Sequence, residues 1–181
     1  GYSGHGNGPR TGPCSLDPPV LSQNNRRTTE RNYAMLTNLE LASTSNKTLK
    51  LGDLDHKCLV LYFYPKDSTP GCTTEAQQFR DLYSDFLAAD CEVIGVSRDS
   101  LRSHENFRAK QNLPFALLSD ADEMLCTQFS VIRMKSMYGK QVRGIERSTF
   151  VIDGRGVLRR EWRGVKTQGH AQEVLDYVIS L

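Results

Sequence analysis

With 181 residues, 38% of them hydrophobic, the chain holds enough apolar mass for one ordinary domain and not for two. A net charge of +2 gives no electrostatic case for a nucleic-acid partner, and the longest apolar run, seven residues from Cys58 to Tyr64, falls far short of the roughly 20 that span a bilayer. Five cysteines, odd in number and without a Cys-x-x-Cys pair, offer neither a zinc ribbon nor a dithiol motif; they read as mostly reduced thiols and not as a disulfide framework.

Residues 1–33 form a Gly/Pro/polar tail, and residues 34–181 form the folded domain. The tail carries four Arg against one Asp and one Glu, so the whole +2 lies there; the other 148 residues balance 19 basic against 19 acidic side chains. A cytoplasmic protein is expected, with an organelle address in the Arg-containing tail as the alternative.

The tail is followed by two short strands, Leu36–Leu41 and Thr48–Leu51, around the polar turn Ser43–Asn46. Cys58–Tyr64 reads as a strand buried on both faces. From Gly71 to Ala88, the positions Ala76, Phe79, Leu82, Tyr83, Phe86 and Leu87 recur at helical spacing. Val93–Val96 is a second buried strand, and Ser100 caps a helix to Gln111 that leaves Ser103 exposed. Phe115–Leu118 is a third strand, and a helix starting at Asp120 or Asp122 ends near Phe129. Thr149–Ile152 and Val157–Trp162 flank the turn sequence Asp153-Gly-Arg-Gly156, a hairpin signal. Gln168–Ile179 is a closing amphipathic helix. The order β-α-β-α-β-α-β-β-α from Cys58 gives an α/β domain with a central, mostly parallel sheet, helices on its faces and an antiparallel edge. It is the order of a thioredoxin-like fold with an N-terminal β-hairpin extension.

The chemistry concentrates in Tyr64-Pro-Lys-Asp-Ser-Thr-Pro-Gly-Cys-Thr-Thr-Glu75, which leaves the first buried strand and enters the long helix. Loops beyond the carboxyl ends of parallel strands are where open α/β sheets place their sites. Cys72 falls in the first turn of that helix, where unpaired N–H groups and the positive end of the dipole favour thiolate over thiol. Pro65 and Pro70 stiffen the loop. Thr69, three residues before Cys72, can bring its hydroxyl over the sulfur.

Pro65-x-x-x-Thr69-x-x-Cys72 resembles the active-site signature of peroxiredoxins. The longer string Tyr62-Phe-Tyr-Pro-Lys-Asp-Ser-Thr-Pro-Gly-Cys-Thr73 resembles their bacterioferritin comigratory protein, or PrxQ, branch. Gly95-Val-Ser-Arg-Asp-Ser100 and Glu146-Arg-Ser-Thr-Phe-Val-Ile-Asp153 extend the resemblance over residues 36–181. It implies a thiol-dependent peroxidase for hydrogen peroxide and organic hydroperoxides, needing no cofactor or metal, and acting as a monomer. It also implies roles. Cys72 is the peroxidatic cysteine that cycles through sulfenic acid, Thr69 orients the peroxide, Arg147 holds the thiolate and the departing oxygen, and Pro65 shields the sulfur. Glu75, one turn after Cys72, could hold Arg147 from behind. Thioredoxin, glutaredoxin or glutathione is the implied reductant.

The sequence departs from the branch at its resolving cysteine. The two usual positions, five and 36 residues after Cys72, hold Gln77 and Arg108. Cys126, in Asp122-Glu-Met-Leu-Cys-Thr-Gln-Phe129, is the remaining candidate. Resolution by an external thiol and condensation with Cys126 both stand open. Cys58 and Cys91 sit at strand entrances and read as buried, inert thiols, while Cys14 lies in the tail. His56, His104 and His170 show no metal-ligand spacing.

Overall fold

The computed structural model describes residues 40–181; the tail, Cys14 and the start of the first expected strand lie outside the described residues. The strands β1 (Glu40–Ser43) and β2 (Lys47–Lys50) form the expected N-terminal hairpin. They are followed by β3 (Cys58–Phe63), α1 (Pro70–Ala88), β4 (Cys91–Ser97), α2 (Leu101–Gln111), β5 (Leu117–Ser119) and α3 (Met124–Gln128). The chain closes with β6 (Ile132–Met137), β7 (Lys140–Ile145), β8 (Ser148–Asp153), β9 (Leu158–Arg163) and α4 (His170–Ile179).

Among the described residues, seven strands make one mixed sheet in the order β2-β1-β5-β4-β3-β8-β9. Only β3–β4 and β4–β5 run parallel; the other four pairings are antiparallel, so the expectation of a mostly parallel sheet is corrected. The cause is at the edges, where β1 and β8 both enter against the direction of their neighbours. The thioredoxin-like α/β arrangement, a mixed sheet flanked by helices, is as the element order implied.

β3 is buried throughout because side chains of alternate parity meet different layers. Cys58, Val60, Tyr62 and Tyr64 pack with Ala76, Phe79 and Phe86 of α1, Phe107 of α2 and Val174 of α4. Leu59, Leu61 and Phe63 pack on the other face with Leu125 and Cys126 of α3, Phe129 and Phe150. Each such fully buried large side chain contributes about 1.5–3 kcal/mol.

Two local differences matter for the site. Ser100 caps α2 by accepting from the Ser103 amide at 3.1 Å, as expected, but Ser103 is half-buried and its hydroxyl is engaged. The sequence reading also missed the separate β6–β7 hairpin, which turns at Tyr138 and Gly139 with φ of 52° and 78°. Its strands are mostly exposed, so no apolar alternation marks them.

Candidate active site

β3 stops pairing at Pro65, which has no N–H to donate. The loop then turns through Ser68, which takes a left-handed φ of 66°. Thr69 is extended at φ −80° and forms the N-cap of α1, with Pro70 as the first helical residue, where a fixed φ and a missing N–H cost nothing. The first intrahelical bond runs from the Thr73 amide to the Thr69 carbonyl at 2.9 Å, so the Cys72 amide stays among the unpaired donors of the first turn.

Arg147 arrives from β8, the strand that pairs with β3. The antiparallel register of β8 on β3 pairs Phe63 with Ser148, which puts the preceding residue, Arg147, just beyond the carboxyl end of β3. Its Nη2 donates to the Cys72 sulfur at 3.4 Å, and its Nη1 donates to Glu75 Oε1 at 2.7 Å. Cys72 is 1% exposed and Glu75 is fully buried. Gly71 lies under the guanidinium, where a Cβ would meet Nη2 at 3.1 Å.

The charges are shaped by burial. Burial pushes Glu75 up to about 7, against the downward pull of Arg147. Burial works against the Arg147 charge, but Glu75 and Cys72 beside it outweigh burial and keep it firmly protonated. Glu75 Oε2 is buried and has no hydrogen-bond partner among the described residues. The structure therefore brings together Cys72, Arg147 and Glu75. Thr69 and Pro65 stand on the same loop, both half-buried, and the Thr69 hydroxyl donates to the Lys66 carbonyl at 2.8 Å.

Four neighbouring residues escaped the sequence reading. Lys135, on the missed hairpin, donates to the Ile145 carbonyl at 2.6 Å; burial lowers its pKa, and the nearby Arg147 charge adds to that. Gly71 carried a signal only as part of the loop motif. Asp67, 6% exposed, and His104, fully buried, are hydrogen-bonded at 2.7 Å. Asp67, Asp99 and His104 each present a donor atom within 4.8 Å of the others, but those atoms are engaged with one another and with neighbouring groups.

The remaining cysteines among the described residues separate into two settings. Cys126 is buried in α3 on the opposite face of the sheet from Cys72. Burial pushes its thiol up, with Asp120 adding to the effect. Cys58 and Cys91 are buried as expected, but they are not reduced thiols: the two are joined by a disulfide. They are the first residues of β3 and β4 and face each other in the parallel register, with Cα atoms 4.6 Å apart, inside the range a disulfide bridges. A spacing of 33 residues concealed this, because only the register of two parallel strands brings the pair together.

The AhpC/TSA family model matches residues 32–161. Peroxiredoxin Bcp of Xanthomonas campestris is 58% identical over 117 residues, covering 65% of this chain and 73% of that protein. Peroxiredoxin Bcp of Bacillus subtilis is 51% identical over 137 residues, covering 76% and 87%. The solved structure of Xanthomonas campestris Peroxiredoxin Q superposes with a TM-score of 0.77 at 49% identity, covering 81% of this chain and 93% of that one. No helix among the described residues is long and apolar enough to cross a membrane.

Proposed function

Because this chain belongs to the AhpC/TSA family, in the bacterioferritin comigratory protein or PrxQ branch, and is a thiol-dependent peroxidase, we propose that Cys72 is the sulfur that turns over. The observation that carries this reading is the 3.4 Å contact between its Sγ and the Arg147 guanidinium at the start of a helix.

The Cys72 thiolate attacks the distal oxygen of hydrogen peroxide or an organic hydroperoxide. The O–O bond breaks, the departing oxygen leaves as water or alcohol after taking a proton, and the sulfur becomes a sulfenic acid. Negative charge builds on the departing oxygen as the bond breaks, and a fixed guanidinium stabilises it without giving up its own proton. Thr69 supplies a hydroxyl at the helix start to orient the peroxide, and Pro65 keeps water from the sulfur. An external thiol then attacks the sulfenic sulfur, its proton and the sulfenic hydroxyl leave as water, and a second thiol releases Cys72 from the mixed disulfide. Thioredoxin, glutaredoxin or glutathione would supply these thiols, in the cytoplasm. A monomer suffices, since one chain contributes every residue assigned here.

A second reading gives the redox cycle to Cys58 and Cys91, on the strength of the bond between them. Against it, both are buried, and they open β3 and β4 while the loop carrying Cys72 follows the other end of β3, about 16 Å along the strand. Peroxide consumption by Cys72→Ser and by a Cys58→Ala/Cys91→Ala double variant decides between the two. The Cys72 reading expects the first to be inert and the second active, and the reverse result overturns it.

A further inference from the structure

Five residues before Cys72, the loop is held by a side chain that the peroxidase chemistry above does not use. Asp67 is 6% exposed although it lies in a connecting segment, and its amide and both carboxylate oxygens are engaged. Its amide donates to Asp99 Oδ2 at 2.9 Å. Its Oδ1 accepts from the Tyr64 hydroxyl at 2.7 Å, and its Oδ2 accepts from the Ser103 hydroxyl at 2.8 Å. His104 Nδ1 stands 2.7 Å from the same Oδ2. On the other side of the ring, His104 Nε2 is 2.9 Å from the Leu118 carbonyl. A carbonyl only accepts, so Nε2 carries a hydrogen and donates it, and a further hydrogen is shared between Nδ1 and the Asp67 carboxylate.

The connections reach several elements. Tyr64 follows β3, Asp99 precedes α2, Ser103 and His104 belong to the first turn of α2, and Leu118 is in β5. Asp99 is itself fixed, accepting from the Ser97 hydroxyl at 2.6 Å, while its carbonyl accepts from Ser119 at 2.7 Å. The loop entering α1 is thus fastened to α2 and, through the imidazole, to the centre of the sheet. Buried polar groups satisfied this fully rigidify what they join, and removing one partner strands the others.

The proposed cycle makes contrary demands on this loop. Peroxide attack needs the first turn of α1 closed, so that Cys72 stays against Arg147. The next step needs it open, because a sulfur that is 1% exposed cannot be reached in line by an external thiol. We propose that Asp67 and His104 form a positioning latch: their hydrogen-bonded pair holds the loop in its closed form, which speeds peroxide attack and slows delivery of the sulfenic acid to the reducing thiol. The proposal rests on Cys72 being the peroxidatic residue.

The test measures the two half-reactions separately in His104→Gln, Asp67→Asn and Ser103→Ala. The first is the oxidation of reduced enzyme by hydrogen peroxide, quenched and read by mass spectrometry of Cys72. The second is the reaction of the preformed sulfenic acid with glutathione. Loss of the latch is expected to slow the first about tenfold and to speed the second several-fold. Ser103→Ala, which removes one hydroxyl from a half-buried position, is expected to fold and to shift both steps in the same directions by about two- to threefold, so the test survives if a His104 variant does not fold. The His104→Gln/Asp67→Asn double variant should be no worse than the stronger single one, as for two halves of one contact. Rates that are unchanged, or both slowed together as in general destabilisation, overturn the latch. Wild-type enzyme in which Cys72 is not the residue oxidised would instead overturn the reading beneath it.

Discussion

Arg147 lies over Gly71 so closely that a Cβ built on the glycine would stand 3.1 Å from the guanidinium Nη2. Gly71 is helical, in the first turn of α1, so its use is closeness and not an unusual backbone angle. Gly71→Ala should therefore separate activity from stability. Alanine in a helix stabilises by about 0.5–1 kcal/mol over glycine. The same methyl displaces the guanidinium from the sulfur, and we expect the peroxide rate constant to fall about tenfold, part of the loss seen when a preorganised donor is removed outright. Stopped-flow oxidation together with thermal melting checks this. An unchanged rate would mean that Arg147 yields without consequence.

Arg147→Lys retains the charge but not the planar fork that reaches Cys72 and Glu75 together. The rate constant for peroxide should drop by about 10²-fold or more. A near-wild-type rate in the same stopped-flow experiment would remove the guanidinium from the chemistry.

Glu75 gives the site a pH dependence of defined sign. Its folded-state pKa, raised to about 7 by burial, lies above the ordinary 4.5. Its contribution to stability is therefore fully present below about 4.5 and is lost as pH rises through about 7. Activity runs the other way, because the ionised carboxylate holds Arg147 more strongly than the neutral acid does. Glu75→Gln should be more stable than wild type at pH 8, yet slower with peroxide. The wild-type to variant rate ratio, which cancels the ionisation of the sulfur itself, should shrink towards one between pH 8 and pH 6. A ratio that is constant across this range would show that Glu75 does not titrate there.

Much of this site could be read before the fold was seen, for a physical reason. The loop motif packs Pro65, Thr69, Pro70 and Cys72 into eight residues, so strand exit, helix start and the proposed nucleophile are local events. Arg147 is 75 residues from Cys72 and carried a signal only through its resemblance-bearing neighbours. Contacts without such neighbours stayed hidden. The Cys58–Cys91 bond depends on a parallel register, and the burial of Asp67 depends on α2 closing over a connecting loop. The β6–β7 hairpin escaped because its exposed strands bury little and so show no apolar alternation.

The Cys58–Cys91 bond should act on stability and not on the rate with peroxide. It closes a loop across 33 residues and ties the entrances of β3 and β4, away from the loop that carries Cys72. In the chain-entropy account such a closure contributes about 3–4 kcal/mol. Denaturant unfolding of the Cys58→Ala/Cys91→Ala variant should show a loss of that order, less whatever the smaller side chains cost in packing. Its Cys72 oxidation rate under native conditions should stay within about twofold of wild type. A large fall in that rate with the fold intact would tie the pair to the chemistry.

Cys126→Ser should leave turnover with external thiols intact. The two positions that usually supply a resolving cysteine hold Gln77 and Arg108, so Cys126 is the remaining unpaired thiol among the described residues apart from Cys72 itself. The structure sets three obstacles before it. Cys72 packs in the layer formed with α1, whereas Cys126 packs in the layer on the opposite face of the sheet. Burial, with Asp120 adding to it, pushes its thiol up, away from the thiolate that attacks a sulfenic sulfur. Its amide and that of Leu125 are both fastened to the Asp120 carboxylate, at 2.7 and 3.0 Å, so bringing Cys126 round the sheet means dismantling the start of α3. A disulfide also needs Cα atoms within about 7 Å. Steady-state turnover of Cys126→Ser with glutathione and with a thioredoxin-type donor is expected to stay within about twofold of wild type. After one equivalent of peroxide the wild-type protein should carry sulfenic acid on Cys72, or its adduct with the added thiol. A Cys72–Cys126 linked peptide accompanied by loss of turnover in the variant would instead show that α3 opens in every cycle and that the enzyme resolves internally.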